Sequence, residues 1–174
     1  MKGFGVRKYS FNQDSKNIKI AQMKAKLLED AFSNHSKGNI SEAANLYQDF
    51  LDKGFSDFRV LCNYGAICRV NGNIELGVRL LKKSIELYPD KCDAYINLGN
   101  IYNDTGNKSE AEKYFRLAIK VHPNSEIAYS NLGRLLLDNG NLIEAEKLTR
   151  YAIEIKSDFS SAYINLASIL MSNS

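Results

Sequence analysis

CDAYINLGNIYNDTGNKSEAEKYFRLAIKVHPNS, residues 92–125, is the stretch that decides the fold. Tyr95, Leu98, Gly99 and Tyr102 fall at i, i+3, i+4 and i+7, one face of a helix. Gly106-Asn107 interrupts that pattern, and Ala111, Phe115, Ala118 and Ile119 resume it. The segment therefore reads helix, tight turn, helix. Glycine supplies the left-handed residue that ends the first helix. Asn107 caps the second, with Glu110 three residues on, as a capping box requires. Pro123 closes the unit because it cannot continue a helix.

The same punctuation recurs outward from this stretch. Gly-Asn stands at 38–39, 72–73, 106–107 and 140–141, a period of 34 residues, and Pro89 and Pro123 keep it. Small residues recur at Ala31, Gly65, Gly99, Gly133 and Ala167, and again at Ala43, Gly77, Ala111 and Ala145. Two small residues facing each other let paired helices approach closely. Gly77 breaks the alanine column and costs about 1 kcal/mol of helix propensity, so its unit is expected to be the softest. A strict period in this range marks a solenoid of stacked supersecondary units. The fold class expected is all-α, a solenoid of antiparallel helix pairs. Its units are 24–57, 58–91, 92–125 and 126–159, followed by a single terminal helix over 160–174.

Tyr95, Leu98, Gly99, Tyr102, Ala111, Phe115, Ala118 and Pro123 together resemble the signature of the tetratricopeptide repeat family. The neighbouring units 58–91 and 126–159 match well, and 24–57 more weakly, with Asp30 in a core column and Phe55 in the proline column. The resemblance implies a right-handed alpha-alpha superhelix in which the first helix of each unit lines a concave groove. Asn63, Asn97, Asn131 and Asn165 lie on that helix at the common period, away from the packing residues. They form an asparagine ladder similar to that in the repeat superhelix of the O-linked N-acetylglucosamine transferases, where such residues hold the backbone of an extended peptide.

An asparagine side chain offers one acceptor and two donors, so it suits a peptide unit. Four such contacts are worth only about 2–6 kcal/mol, whereas association costs an estimated ~4–15 kcal/mol. The ladder therefore needs neighbours: Asn100, Asn103, Arg59, Arg69, Arg134, Asp104 and Asp138. Arg69 and Arg134 would favour acidic side chains. The competing reading is that the asparagines fasten one unit to the next. A carboxylate clamp for a C-terminal peptide is disfavoured, since Cys62, Ile96 and Ser130 stand where the resemblance calls for cations.

The expected partner is a protein or an extended peptide. The alternative is a docking segment associated with a glycosyl- or sulfo-transferase. Net charge is +3 overall but +4 over residues 1–23, which hold Lys2, Arg7, Lys8, Lys16 and Lys19 against Asp14. Residues 1–16 lack usable periodicity and read as a basic, disordered arm. Interleaved Phe4, Tyr9 and Phe11 give nucleic-acid contact as a weaker expectation. Catalysis is not expected: His35 and His122 sit in different units, and there is no phosphate-binding loop. No cofactor or metal is expected, since Cys62, Cys68 and Cys92 lack ligand spacing. Three free thiols and no apolar run long enough to span a bilayer fit a cytoplasmic protein. In the terminal helix, Tyr163, Leu166, Ala167 and Leu170 are expected to pack on the unit before, leaving Ile169 uncovered. Such an end suggests a homodimer through the last helix.

Overall fold

The computed structural model describes residues 4–172, with side chains from Ser15 onward. All the secondary structure described is helical: α1 (Phe4–Ser36), α2 (Ile40–Asp52), α3 (Phe58–Val70), α4 (Ile74–Leu87), α5 (Cys92–Asp104), α6 (Lys108–Val121), α7 (Glu126–Asp138), α8 (Leu142–Ile155) and α9 (Ser160–Ser172). The chain divides into two compact parts, Met1–Val60 and Leu61–Ser174.

Helix α1 starts at Phe4 and so runs through most of residues 1–16, the stretch the sequence reads as a basic arm. Residues 15–23 of this helix are exposed. Nothing in it stops a helix, since no proline or glycine occurs between Val6 and Ser36. The side chains of Lys2, Phe4, Arg7, Lys8, Tyr9 and Phe11, on which the nucleic-acid expectation rests, lie outside the described residues.

The turns repeat one backbone device. Gly106 has φ +78°, and its N–H bonds to Asn103 O; the N–H of Asn107 bonds back to Tyr102 O at 2.8 Å. This is the Schellman pair, and Gly38, Gly72 and Gly140 make the same one. The Oδ1 atoms of Asn73, Asn107 and Asn141 then accept the N–H of Leu76, Glu110 and Glu144, at 3.4, 3.3 and 3.4 Å. Asn39 departs from this and makes no side-chain cap bond, its amide donating to Asn34 Oδ1 instead. The glutamates do not complete a capping box. The asparagine N–H that a box would use is already held by the preceding helix, so Glu144 Oε2 accepts from the Asn141 amide instead.

In the first part, α1 packs on α2 through Ala31, Tyr47 and Phe50, all buried. His35 belongs to this interface: its Nδ1 lies 2.8 Å from the hydroxyl of the buried Tyr47. In the second part the small columns do the packing expected of them. A Cβ on Gly99 would lie 2.4 Å from the Phe115 ring, and one on Gly65 would lie 2.8 Å from Leu81 Cγ. At Gly77 a Cβ would come within 3.1 Å of Gly65 O, so glycine faces glycine where α4 crosses α3. The core continues through Leu98, Ile101, Phe115, Leu132, Leu135 and Ile169.

Helix α9 corrects an expectation about which of its faces is covered. Ile169 is fully buried, together with Ala162 and Asn165, whereas Tyr163, Ala167 and Leu170 are exposed. A first helix has two apolar faces. The Ala-Asn-Ile face packs back on the preceding unit, and the Tyr-Gly-Leu face is covered by the second helix of its own unit. In α9 only the first of these is satisfied.

Candidate functional site

Within residues 61–174, each second helix meets the first helices on either side of it: α6 contacts α5 and α7, and α8 contacts α7 and α9. The first helices also touch one another, α5 with α7 and α7 with α9. They form the tighter, inner layer of the stack, and their solvent-facing residues make the candidate site.

The ladder asparagines reach backward by one repeat. Asn97 Nδ2 donates to Cys62 O at 3.4 Å, and Asn131 Nδ2 to Asn100 Oδ1 at 3.1 Å. Asn165 Nδ2 donates to both Ser130 O and Ser130 Oγ at 3.0 Å, and that side chain is buried. Asn63, half-buried on α3, is also engaged and is not a free amide. The amides thus join successive first helices. For Asn97 and Asn131, both half-buried, one N–H is used in this way, and the face also carries the half-buried Asn100 and Asn103.

The cations are also partnered. Arg69 on α3 forms an ion pair with Asp104 on α5, 35 residues on. Arg134 pairs with Asp138 one turn later on α7, at 3.0 Å. Both arginines therefore meet any acidic ligand with a carboxylate already in place. Arg59 binds Asp57 and stacks on Phe32, 4.9 Å from the ring centre. Cys62, Ile96 and Ser130 are buried, so no cation enters the face from those positions. Sequence reasoning offered the asparagine ties only as the competing reading and missed that of Arg69 to Asp104. Their signal was the spacing: Asn97 to Cys62, Asn165 to Ser130 and Arg69 to Asp104 each span 35 residues, one period plus one.

Burial pushes the Cys68 thiol above its ordinary pKa, and burial with the nearby charge of Asp93 does the same for Cys92. Among the described residues no group of three or more His, Cys, Asp or Glu could hold a metal ion. None of the described helices is long and apolar enough to cross a membrane.

Two models of the tetratricopeptide repeat match the sequence, over residues 92–125 and 114–147. The sequence thus carries tetratricopeptide repeats over residues 92–147. Solved structures share its architecture. A crystal structure of MamA protein is 21% identical, covers 88% of this chain and 84% of its own, and has a TM-score of 0.70. That of TTC0263, a thermophilic TPR protein in Thermus thermophilus, is 17% identical over 86% of this chain and 82% of that one, with a TM-score of 0.74. The first TPR of Spaghetti (RPAP3), bound to the HSP90 peptide SRMEEVD, is 21% identical and covers 66% of this chain and 91% of its own, at a TM-score of 0.61. Identities this low show the fold alone. A comparison with curated protein sequences finds no match. The repeat fold thus extends well beyond the two matched segments, through α9.

Proposed function

We propose that this chain is a protein-binding scaffold of tetratricopeptide repeats whose inner face holds an extended peptide segment. The observation that carries the reading is the row of half-exposed amides on α5 and α7: Asn97, Asn100, Asn103 and Asn131. The bonds between repeats fix the orientation of Asn97 and Asn131 before a ligand arrives. Each retains its second N–H and, at its carbonyl oxygen, an acceptor for a peptide N–H. Preorganisation of this kind removes side-chain ordering from the cost of binding. Asn165 is withdrawn from the surface and acts between repeats only. Because Arg69 and Arg134 are already paired, the face recognises backbone more than acidic side chains. The peptide complex of the RPAP3 repeat shows what the fold can do in another protein. The terminal-carboxylate mode gains no support here, since the positions that would carry its cations are buried and uncharged.

The test is binding of an extended peptide library to the intact chain and to Asn97→Ala/Asn131→Ala. The expected result is a loss of about 1–3 kcal/mol for the pair, with far-UV helicity kept. A variant that binds like the parent would sink the reading. A variant that melts early without a change in affinity would make the amides structural only.

A further inference from the structure

Asn71-Gly72 and Asn139-Gly140 are the places in this chain where an asparagine precedes a glycine. Both lie in turns between a first helix and its partner, and both asparagines are exposed. The period does not ask for asparagine there. The same column holds Lys37 and Thr105 in the other turns, and the glycines that follow make the same Schellman pair throughout. What the fold requires is the glycine, at φ +77° to +79°.

An asparagine before a glycine brings a chemistry of its own. The side-chain amide carbon, Cγ, stands where bonding to the next backbone nitrogen closes a five-membered ring. A side chain on the next residue crowds that approach, and glycine has none. Once Gly140 N has lost its proton to base, it attacks Asn139 Cγ. The new N–C bond forms, the bond from Cγ to the side-chain nitrogen breaks, and that nitrogen leaves as ammonia with a proton from water. A water molecule then opens the cyclic imide. Cleavage on the Cγ side leaves aspartate. Cleavage on the backbone side leaves isoaspartate, with the main chain running through Cβ and Cγ. Water enters and ammonia leaves, with no oxidant or reductant needed.

Backbone bonds hold this reaction back. Gly140 N–H is donated to Leu137 O at 2.9 Å and Gly72 N–H to Arg69 O at 3.1 Å, so each nitrogen keeps its proton while the turn is closed. The N–H groups of Asn141 and Asn73 bond back to Leu136 O and Cys68 O, at 2.9 and 2.8 Å, and fix the reacting peptide from its far side. Side chains add nothing at the glycine itself. A Cβ placed on Gly72 or Gly140 would meet nothing within 4 Å. Opening the turn therefore breaks backbone bonds at a helix end, a local event that does not require global unfolding.

We infer that Asn71 and Asn139 are sites of spontaneous deamidation, gated by local opening of the turns that end α3 and α7. Each event puts a negative charge at the C-terminal end of a helix, where the dipole disfavours it. At 139 the charge joins Asp138, which holds Arg134, and at 71 it lies two residues from Arg69, which holds Asp104. Isoaspartate does more. Its extra main-chain carbon shifts Gly140 N–H relative to Leu137 O, and the Schellman pair loses its register. The turns at 71–73 and 139–141 thus age, whereas those at 37–39 and 105–107 do not.

The test keeps the intact chain folded in mildly alkaline buffer, with a second sample in urea above its unfolding midpoint, and follows both by peptide mapping with mass spectrometry. Acidic forms are expected at Asn71 and Asn139, with isoaspartate exceeding aspartate. Asn73, Asn107 and Asn141, exposed in the same kind of turn but followed by Ile74, Lys108 and Leu142, should stay unchanged over that time. Conversion in urea should be faster by about tenfold or more, because the closed turn protects the nitrogen. Asn139→Thr, which takes the residue that Thr105 supplies in its own turn, should leave the rate at Asn71 unchanged, since the turns open separately. Asn139→Lys, after Lys37, repeats the comparison should the threonine disturb α7. No conversion in the folded chain, equal conversion of Asn73, Asn107 or Asn141, or equal rates with and without urea overturns the inference. A rate at Asn71 that changes with both substitutions at 139 also overturns it, by making the opening global.

Discussion

Thr149 stands in the column that elsewhere holds Tyr47, Leu81 and Phe115, and its side chain is fully buried. Its Oγ1 has no hydrogen-bond partner among the described residues. A hydroxyl in that state carries a desolvation penalty of about 1–3 kcal/mol. Thr149→Val keeps the branched shape that fits against Gly133 and removes the polar atom. Its unfolding free energy is expected to rise by an amount within that range, read as a higher urea midpoint with an unchanged slope. Thr149→Ala should instead fall, since it opens a cavity beside Gly133. A valine variant no more stable than the parent would mean that the hydroxyl is satisfied in solution. The opposite balance holds at Gly99, where the Phe115 ring fills the space that a Cβ would need.

Asp57 shows how one side chain sets the start of an element. It precedes α3, and its Oδ1 accepts the Arg59 N–H at 2.9 Å while both its oxygens take the Arg59 guanidinium. Burial alone would push its carboxyl up, but the Arg59 side-chain bond, the Arg59 N–H and the Arg59 charge outweigh it and hold it below the ordinary carboxylate range. A carboxyl depressed in the folded state stabilises the fold above its unfolded pKa of about 3.9. That contribution is lost as pH falls through the lower, folded value. Asp57→Asn should therefore flatten the acid limb of stability between about pH 2 and pH 5, measured as the urea midpoint against pH. An acid limb of unchanged steepness would assign the loss to other carboxyls.

The starts of α3, α5, α7 and α9 at Phe58, Cys92, Glu126 and Ser160 were legible because the Gly-Asn turns and small residues are local signals with a fixed period. The direction of the asparagine amides was not, because a helical pattern gives the face of Asn97 but not the carbonyl 35 residues back that takes its proton. The exposure of Ala167 and burial of Ile169 were misread for a related reason. Both lie on apolar faces of α9, and only the neighbouring helices decide which face is covered. The capping box failed because the Schellman turn and the box compete for one N–H. Helix α1 exceeded its periodic segment because low amphipathicity removes a reason to pack, not the ability to coil.

At the scale of the molecule, a period that is kept in sequence and in contacts makes whole repeats exchangeable. Stability of such an array is close to a sum of repeat terms and nearest-neighbour interfaces. Removing residues 92–125 joins Lys91 to Glu126 and sets α7 after α4 in the place of α5. Asn131 then takes the position of Asn97, with its amide facing Cys62 O, and Leu135 takes that of Ile101. Glu144 of α8 comes opposite Lys82, which occupies the Arg116 column, so the sign of that contact is kept. The shortened chain is expected to keep its helicity per residue and to unfold cooperatively, with a smaller urea slope because less surface is exposed on unfolding. Removing residues 92–107 instead sets two second helices in succession, with the small residue Ala111 facing no first helix, and should lose helicity. Circular dichroism and urea titration of the two deletions decide the matter. If the full-repeat deletion unfolds as the half-repeat deletion does, the side chains particular to residues 92–125, and not their columns, hold the stack together.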